Sequence, residues 1–321
     1  MNLKTIDIPE KLIDAAFARA RKQSAHYKKQ KTPFYTMKGK EIAKIDASSE
    51  FLIEKLSGIV KDFPSIDKLP EFYKDLFTFI IDINNVKKAL SNMSSVSKII
   101  KNIRREKIVK LKELKFEPNS IKIAKNISRE YFGRVSSLIK SLKKDINFYN
   151  ESVKKLKELP SIKADEEVYL IAGLPNVGKS TLLSKITESK PKIASYPFTT
   201  KGLNVGIFFK KYLPIQVIDT PGLLDRSLSK RNNIELKAIS AFQYLKGTII
   251  FVIDPLQIIS EQKNLLKELK KLFSDKGFII VINKTDLIEK TKLEEILKEF
   301  SENYVVIEGE GLNNLKEELL K

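Results

Sequence analysis

The sequence contains no cysteine and only one histidine, His26. The first absence excludes a disulfide framework, a cysteine-held zinc or iron–sulfur centre and a thiol nucleophile. The second excludes histidine-clustered metal sites and any serine–histidine–aspartate triad that does not use His26. That residue sits beside a basic stretch and is expected at the surface rather than in catalysis. Long apolar runs are also missing: Phe278–Ile282 is far too short to cross a bilayer. The N-terminal segment MNLKTIDIPEKL is polar and lacks the apolar core of a signal peptide. What is present suffices for a core, since 42% of residues are hydrophobic. A chain of 321 residues suggests about two domains. The expectation is a soluble, cytoplasmic, monomeric protein that does not act at a membrane.

Charge is distributed unevenly. The formal net charge is +19, of which residues 1–165 carry +16 and residues 166–321 carry +3. The densest stretches are Arg19–Lys40 and Lys98–Lys115. An imbalance confined to one half exceeds what solubility needs and marks a surface suited to a polyanion.

The two halves also differ in period. In Asn119–Leu159, apolar residues recur at steps of three and four from Ala124 through Ile127, Tyr131, Val135 and onward to Leu156. That is one stripe of a long amphipathic helix, opened by Pro118–Asn119–Ser120 and stopped by Pro160. Pro9–Lys22, Gly39–Lys61, Leu69–Ile81 and Asn84–Leu114 supply further helices, with Pro64, Pro70 and Asp82 between them. The first half, residues 1–160, therefore reads as an all-α bundle of long antiparallel helices. Glu158–Glu167 reads as a linker. Beyond it, Val168–Ala172, Ile215–Asp219, Thr248–Ile253, Phe278–Ile282 and Tyr304–Ile307 are short β-branched runs, each followed by a loop and a helical stretch. Residues 161–321 therefore read as an α/β domain, a mostly parallel sheet with helices on both faces.

The first of those strands runs into Gly173-Leu174-Pro175-Asn176-Val177-Gly178-Lys179-Ser180-Thr181. This fits G-x-x-x-x-G-K-[ST] with a strand before and a helix after. Its backbone N–H groups and helix N-terminus suit phosphate. Lys179 brings positive charge to the β- and γ-phosphates, and the Ser180 hydroxyl is a hard ligand for Mg²⁺. Asp219-Thr220-Pro221-Gly222 closes a later strand: Asp219 is a second metal ligand, and the Gly222 N–H is suited to a γ-phosphate because no Cβ blocks the approach. Between them lies Tyr196-Pro197-Phe198-Thr199-Thr200, with Thr200 the candidate for another hydroxyl on Mg²⁺ and Thr199 the close alternative. Asn283-Lys284-Thr285-Asp286 follows an apolar strand. The Asp286 carboxylate can accept from both N1–H and the N2 amine of guanine. Adenine would leave it unpaired, so the site selects GTP and GDP over adenine nucleotides.

With these motifs in place, the sequence resembles the Obg–HflX branch of translation-factor-related GTPases. More closely it resembles the nucleolar GTP-binding protein 1 (Nog) family in an archaeal-type form. The resemblance rests on GLPNVGKST at 173–181, YPFTTKGLNVG at 196–206, the stretch from Gln216 to Ala241, DFPSIDKLPEFYKDL at 62–76 and VKKALSNMSSVSKIIKNI at 86–103. It covers nearly the whole chain and sets it apart from Obg, whose N-terminal domain is glycine-rich and non-helical. The resemblance implies a P-loop GTPase that binds the large ribosomal subunit or its precursor, with the helical domain on ribosomal RNA. Two departures stand out. No Ser-Ala motif follows Tyr304–Ile307, and the long C-terminal extension of eukaryotic relatives is absent from the sequence.

Many GTPases orient the attacking water with a glutamine directly after D-x-x-G. Leu223 and Leu224 stand there instead and cannot hydrogen-bond water. Slow intrinsic hydrolysis is expected, with the site completed from outside. Asn176 matches the loop asparagine of potassium-activated relatives, which makes K⁺ one candidate and a group supplied by the pre-ribosome another. The catalytic set is thus Lys179, Thr200, Gly222 and Asn176. Two alternatives stay open: a GTPase acting on another RNA target such as tRNA modification, or an RNA-binding structural protein whose nucleotide does not switch it.

Overall fold

The computed structural model describes residues 3–188, 190–196, 202–300, 304–306 and 311–320. The chain divides into two compact units. One comprises Met1–Ser65 and Ile81–Lys157, the other Ile66–Ile80 and Glu158–Lys321.

The first unit is helical: α1 (Pro9–Ala25), α2 (Pro33–Asp62), α4 (Ile83–Glu113), α5 (Ser120–Ser141) and α6 (Lys143–Lys157). The short helix α3 (Glu71–Ile80) comes between α2 and α4 in the chain. Proline opens both α1 and α2, where its missing N–H costs nothing. The side chains of Thr32 and Asp82 cap the backbone amides of Tyr35 and Asn85. The apolar stripes face inward: α2 packs on α1, α4 and α5, and α4 on α5 and α6.

The long helix expected over Asn119–Leu159 is interrupted at Leu142. The Ser141 hydroxyl donates to the Leu138 carbonyl at 2.8 Å. That carbonyl is the acceptor the Leu142 amide would use in a regular helix. The amide turns instead to Ile139 and Lys140, and the helix restarts at Lys143. The apolar stripe survives the break, with Ile139, Leu142 and Ile146 all buried.

Helix α3 lies in the half of the sequence read as helical, yet it packs within the second unit. Phe72 meets Phe242 with ring centroids 6.1 Å apart. The Tyr73 hydroxyl donates to the carbonyls of Pro160 and Ile162 at 3.0 and 2.7 Å and accepts from the Ile162 amide at 2.8 Å.

The second unit is built on a seven-stranded sheet: β1 (Glu167–Ala172), β2 (Lys192–Ala194), β3 (Leu203–Lys210), β4 (Leu213–Asp219), β5 (Lys246–Ile253), β6 (Gly277–Ile282) and β7 (Tyr304–Val306). Its order is β2-β3-β4-β1-β5-β6-β7. Strands β1, β4, β5, β6 and β7 run parallel, while β3 pairs antiparallel with both β2 and β4. The helices are α7 (Lys179–Ile186), α8 (Asn233–Ser240), α9 (Ile259–Leu272), α10 (Lys290–Lys298) and α11 (Gly311–Leu320). Tyr169, Ile171, Val217, Ile250, Val252 and Val281 form a core with Leu182, Leu183, Ile186, Leu315 and Leu319 of α7 and α11. The alternate strand residues, such as Leu170, Ile218, Ile249 and Phe251, are equally buried, so both sheet faces are covered. The β2–β3 pair was absent from the expected strands, and Ile307 lies outside the described residues. The architecture is a helical part joined to a P-loop α/β domain, as the motifs imply. Among the described residues no helix is long and apolar enough to cross a membrane.

Candidate functional site

The residues singled out by the motifs converge at the carboxyl ends of the parallel strands, where open α/β sheets bind ligands. The loop after β1 leads into α7. Gly178 caps that helix at φ +100, and a Cβ there would lie 2.3 Å from Asn283 Nδ2. Only glycine satisfies both the backbone angle and the close approach. A cleft of ≈ 610 Å³ is lined by Pro175, Asn176, Gly178, Lys179, Ser180 and Thr181 from this loop, and by Asp219, Pro221, Gly222 and Asp225 opposite.

Lys179 is 8% exposed. Its ammonium donates to the Gly173 and Leu174 carbonyls at 2.8 and 2.7 Å. Burial pushes its pKa down, and the nearby charges of Asp225 and Asp219 oppose that shift. A bound anion would restore the charged form further. Val177 is buried beneath the loop, and its carbonyl accepts from Asn283 Nδ2 at 2.9 Å. The loop is thereby tied to the Asn283–Asp286 segment.

Asp219 ends β4 and is fully buried. Its Oδ2 accepts from the Ser180 hydroxyl at 2.6 Å and from Asn204 Nδ2 at 3.0 Å. Its Oδ1 has no hydrogen-bond partner among the described residues. A buried carboxylate oxygen left unpaired beside a serine hydroxyl is a donor set of hard oxygens and fits Mg²⁺. Thr199 and Thr200 lie outside the described residues.

Gly222 adopts φ +79 with open space around the position of a Cβ, so the backbone angle is what demands glycine. Its amide donates to Asp225 Oδ2 at 2.8 Å. Arg231 closes this loop from behind. Its side chain is fully buried and donates to the Gly222 carbonyl, to the Leu223 carbonyl at 2.6 Å and to Asp225 Oδ1 at 2.9 Å. Burial, then the like charge of Arg226, pushes the Arg231 pKa down, while Asp225 and Glu235 hold the guanidinium charged. Leu223 and Leu224 are both fully buried, pointing no polar group at the cleft.

After β6, Asn283 anchors the phosphate loop as described. Lys284, at φ +58, donates to the Asn176 carbonyl at 2.8 Å and to Asp254 Oδ2 at 2.6 Å. Thr285 is buried and Asp286 exposed. The Asp286 carboxylate forms no hydrogen bond among the described residues, which leaves both oxygens available to a base edge. Asn176 is exposed at φ +64. Residues 307–310, where a Ser-Ala motif would follow the last strand, lie outside the described residues. His26 is exposed at the C-terminus of α1.

Two residues of this site carried no role in the sequence, Asn204 and Asp254, while Asp225 and Arg231 stand in the charged loop after Gly222 that the sequence marks as a candidate relay of the nucleotide state. Asp254 was findable, because an acid ending an apolar strand of a parallel sheet points to the ligand crevice. For Arg231 the loop's charge pattern gave no sign that the side chain is buried against the Gly222 and Leu223 carbonyls.

Residues 1–163 match the family described as the NOG1 N-terminal helical domain. The chain belongs to the NOG1 family. Residues 168–284 match the family described as a 50S ribosome-binding GTPase, which makes the second unit of this NOG1-family chain a P-loop GTPase domain. The chain is 36% identical over 297 residues to an uncharacterised protein of Methanocaldococcus jannaschii, covering 91% of this chain and 82% of that one. It is 33% identical over 292 residues to nucleolar GTP-binding protein 1 of Saccharomyces cerevisiae, covering 87% of this chain and 44% of the relative. The chain thus spans less than half the length of that nucleolar relative. Among solved structures, a nucleolar GTP-binding protein 1 from Plasmodium falciparum is 33% identical, covering 50% of this chain and 90% of that one, with a TM-score of 0.42.

Proposed function

We propose that this chain is a GTP-hydrolysing switch that binds ribosomal RNA of the large subunit or its precursor through its basic helical half. The proposed division is an RNA-binding part over residues 1–160, apart from Ile66–Ile80, which packs with the second unit, and a GTPase part over 161–321, acting as a cytoplasmic monomer. The observation that supports the reading is a P-loop cleft with an exposed Asp286 carboxylate, in a chain whose helix α4 carries a row of exposed cations without ion partners among the described residues. On α4, Arg104, Lys107 and Lys110 are neutralised by Asp46, Glu50, Glu106 and Glu130. Lys98, Lys101, Arg105 and Lys112 are exposed, recur at helical spacing and form no ion pair among the described residues. A stripe of unpaired cations along a rigid helix suits a phosphate backbone.

In this reading Lys179 exchanges its two loop carbonyls for β- and γ-phosphate oxygens. Ser180 and Asp219 hold Mg²⁺, with Thr200, or Thr199 in its place, as the further hydroxyl. When bound, the ion neutralises charge developing on the transferred phosphoryl group. The γ-phosphate takes the Gly222 amide from Asp225, so the loop behind it registers the difference between GTP and GDP. Asp286 selects guanine. Because Leu223 and Leu224 are buried and apolar, the chain itself supplies no side chain there to orient water, and turnover alone is slow. Asn176 is the residue that would hold an activating K⁺.

Co-sedimentation with ribosomal particles tests this reading. Retention in a GTP analogue, release in GDP and loss of nucleotide control in Lys179→Ala are expected. Identical sedimentation in both nucleotides would refute the switch.

A further inference from the structure

A cavity of ≈ 400 Å³ opens between α1, α2 and α5, away from the nucleotide site. That size lies within the range of pockets that receive small organic groups, about 300–1,000 Å³. Three kinds of group meet there. Phe17 and Phe132 form an edge-to-face pair with centroids 4.8 Å apart, and both are only partly buried. Glu41 is 3% exposed, and its one partner among the described residues is Lys44, at 2.8 Å. Arg21, Lys125 and Arg129 stand exposed on the rim and form no ion pair among the described residues.

A solvated helix surface does not account for this combination. A buried carboxylate has about four lone-pair directions, and a single ammonium leaves most of them unused. Ser128, on the same wall, is 3% exposed, and its hydroxyl has no partner among the described residues. Unused polar capacity inside an aromatic-walled pocket is what a polar, planar ligand would satisfy. The unpaired cations around the mouth call for that ligand to be attached to phosphates.

We propose that this pocket receives an unpaired guanine base of bound RNA. Guanine presents an acceptor, O6, beside two donors, N1–H and the N2 amine. Lys44 donates to O6, and the Glu41 carboxylate accepts from both donors. Adenine, cytosine and uracil each offer one donor on that edge and leave the carboxylate half used. The base stacks on the Phe17–Phe132 pair, while Arg21, Lys125 and Arg129 take the flanking phosphates. The proposal rests on the RNA-binding reading of the helical half and gives it a sequence preference that the cationic stripe on α4 does not supply.

The test uses the full chain, saturated with Mg²⁺ and GDP so that the nucleotide site is occupied. The probes are fluorescent five-nucleotide RNAs, all uracil except for a central guanine, inosine, adenine or uracil, read by anisotropy. The guanine probe is expected to bind about tenfold tighter than the all-uracil one, the order expected of one good bidentate base contact. Inosine, which lacks only the N2 amine, is expected to lose most of that gain. Glu41→Gln should erase the difference between guanine and inosine. Arg129→Glu should weaken every probe alike and flatten the salt dependence. The guanine–inosine comparison on the unaltered chain stands even where a variant fails to fold. Equal affinity for all four probes, with a steep salt dependence, would overturn the pocket and leave the RNA-binding reading intact. No binding of any probe would remove both.

Discussion

Arg231 is the residue whose replacement the structure prices most directly. The Arg231→Ala change removes a fully buried guanidinium from the Gly222 and Leu223 carbonyls and from Asp225. A hydrogen bond to a charged group contributes about 1.5–3 kcal/mol, and breaking a buried ion pair costs about 3–5 kcal/mol. Asp225 keeps the Gly222 amide, and its side chain is 15% exposed, so water compensates in part. The low end, about 3 kcal/mol, is the appropriate figure, and it falls on residues 222–232 rather than on the sheet. At about tenfold per 1.4 kcal/mol, amide hydrogen exchange across 222–232 should quicken roughly a hundredfold. Exchange in β1 and β5 should barely change, because that part opens only with the whole unit. Arg231→Lys retains a charge but lacks the planar fork and should fall between the two. Affinity for a GTP analogue should drop more than affinity for GDP, since only the former uses the Gly222 amide. Exchange at 222–232 within threefold of the unaltered chain would show that Arg231 does not hold this loop.

Other consequences are more quickly stated. Asp286→Ala should reduce the preference for GTP over ATP by about a hundredfold or more, as expected when a polar base edge loses its partner, with calorimetric titration as the measurement. Removing divalent ions with a chelator should leave Ser180 and Asp219 bonded to each other and abolish hydrolysis, read as phosphate release restored by Mg²⁺. Replacing Na⁺ by K⁺ should accelerate hydrolysis, and Asn176→Ala should remove the difference; equal rates in both salts would discard the K⁺ reading. Glu235 is held below the usual carboxylate range by the Asn232 amide, then by Arg226 and Arg231. Its contribution is therefore fully present above about pH 4.3, the ordinary glutamate value. It is lost as pH falls through the lower folded-state value, and exchange protection of 231–236 should fade in that window.

The phosphate loop, Asp219, Gly222 and the Asn283–Asp286 segment were legible because each is a short run whose residue types the chemistry requires. Long-range partners were not. The break at Leu142 leaves Ile139, Leu142 and Ile146 buried on one stripe, so the periodicity does not register it. Strand β3 was hidden because Gly206 contributes no side chain to its pattern; it lies against Thr187, where a Cβ would come within 2.6 Å of Cγ2. Helix α3 has an apolar face at Phe72, Tyr73, Leu76 and Phe77 like that of any bundle helix. Periodicity reports that a face is buried but not against what.

That last point bears on how the chain can be dissected. Because Ile66–Ile80 belongs with the GTPase part while both flanking stretches belong with the other unit, the polypeptide crosses over three times. A fragment cut at residue 160 would carry α3 without Phe242 or Ile162 to cover it, leaving three aromatic rings and a leucine bare in water. A fragment starting at 161 would lack the element that seals Phe242. Neither piece would report faithfully on its share of the whole, and insolubility of the first would be a property of the cut.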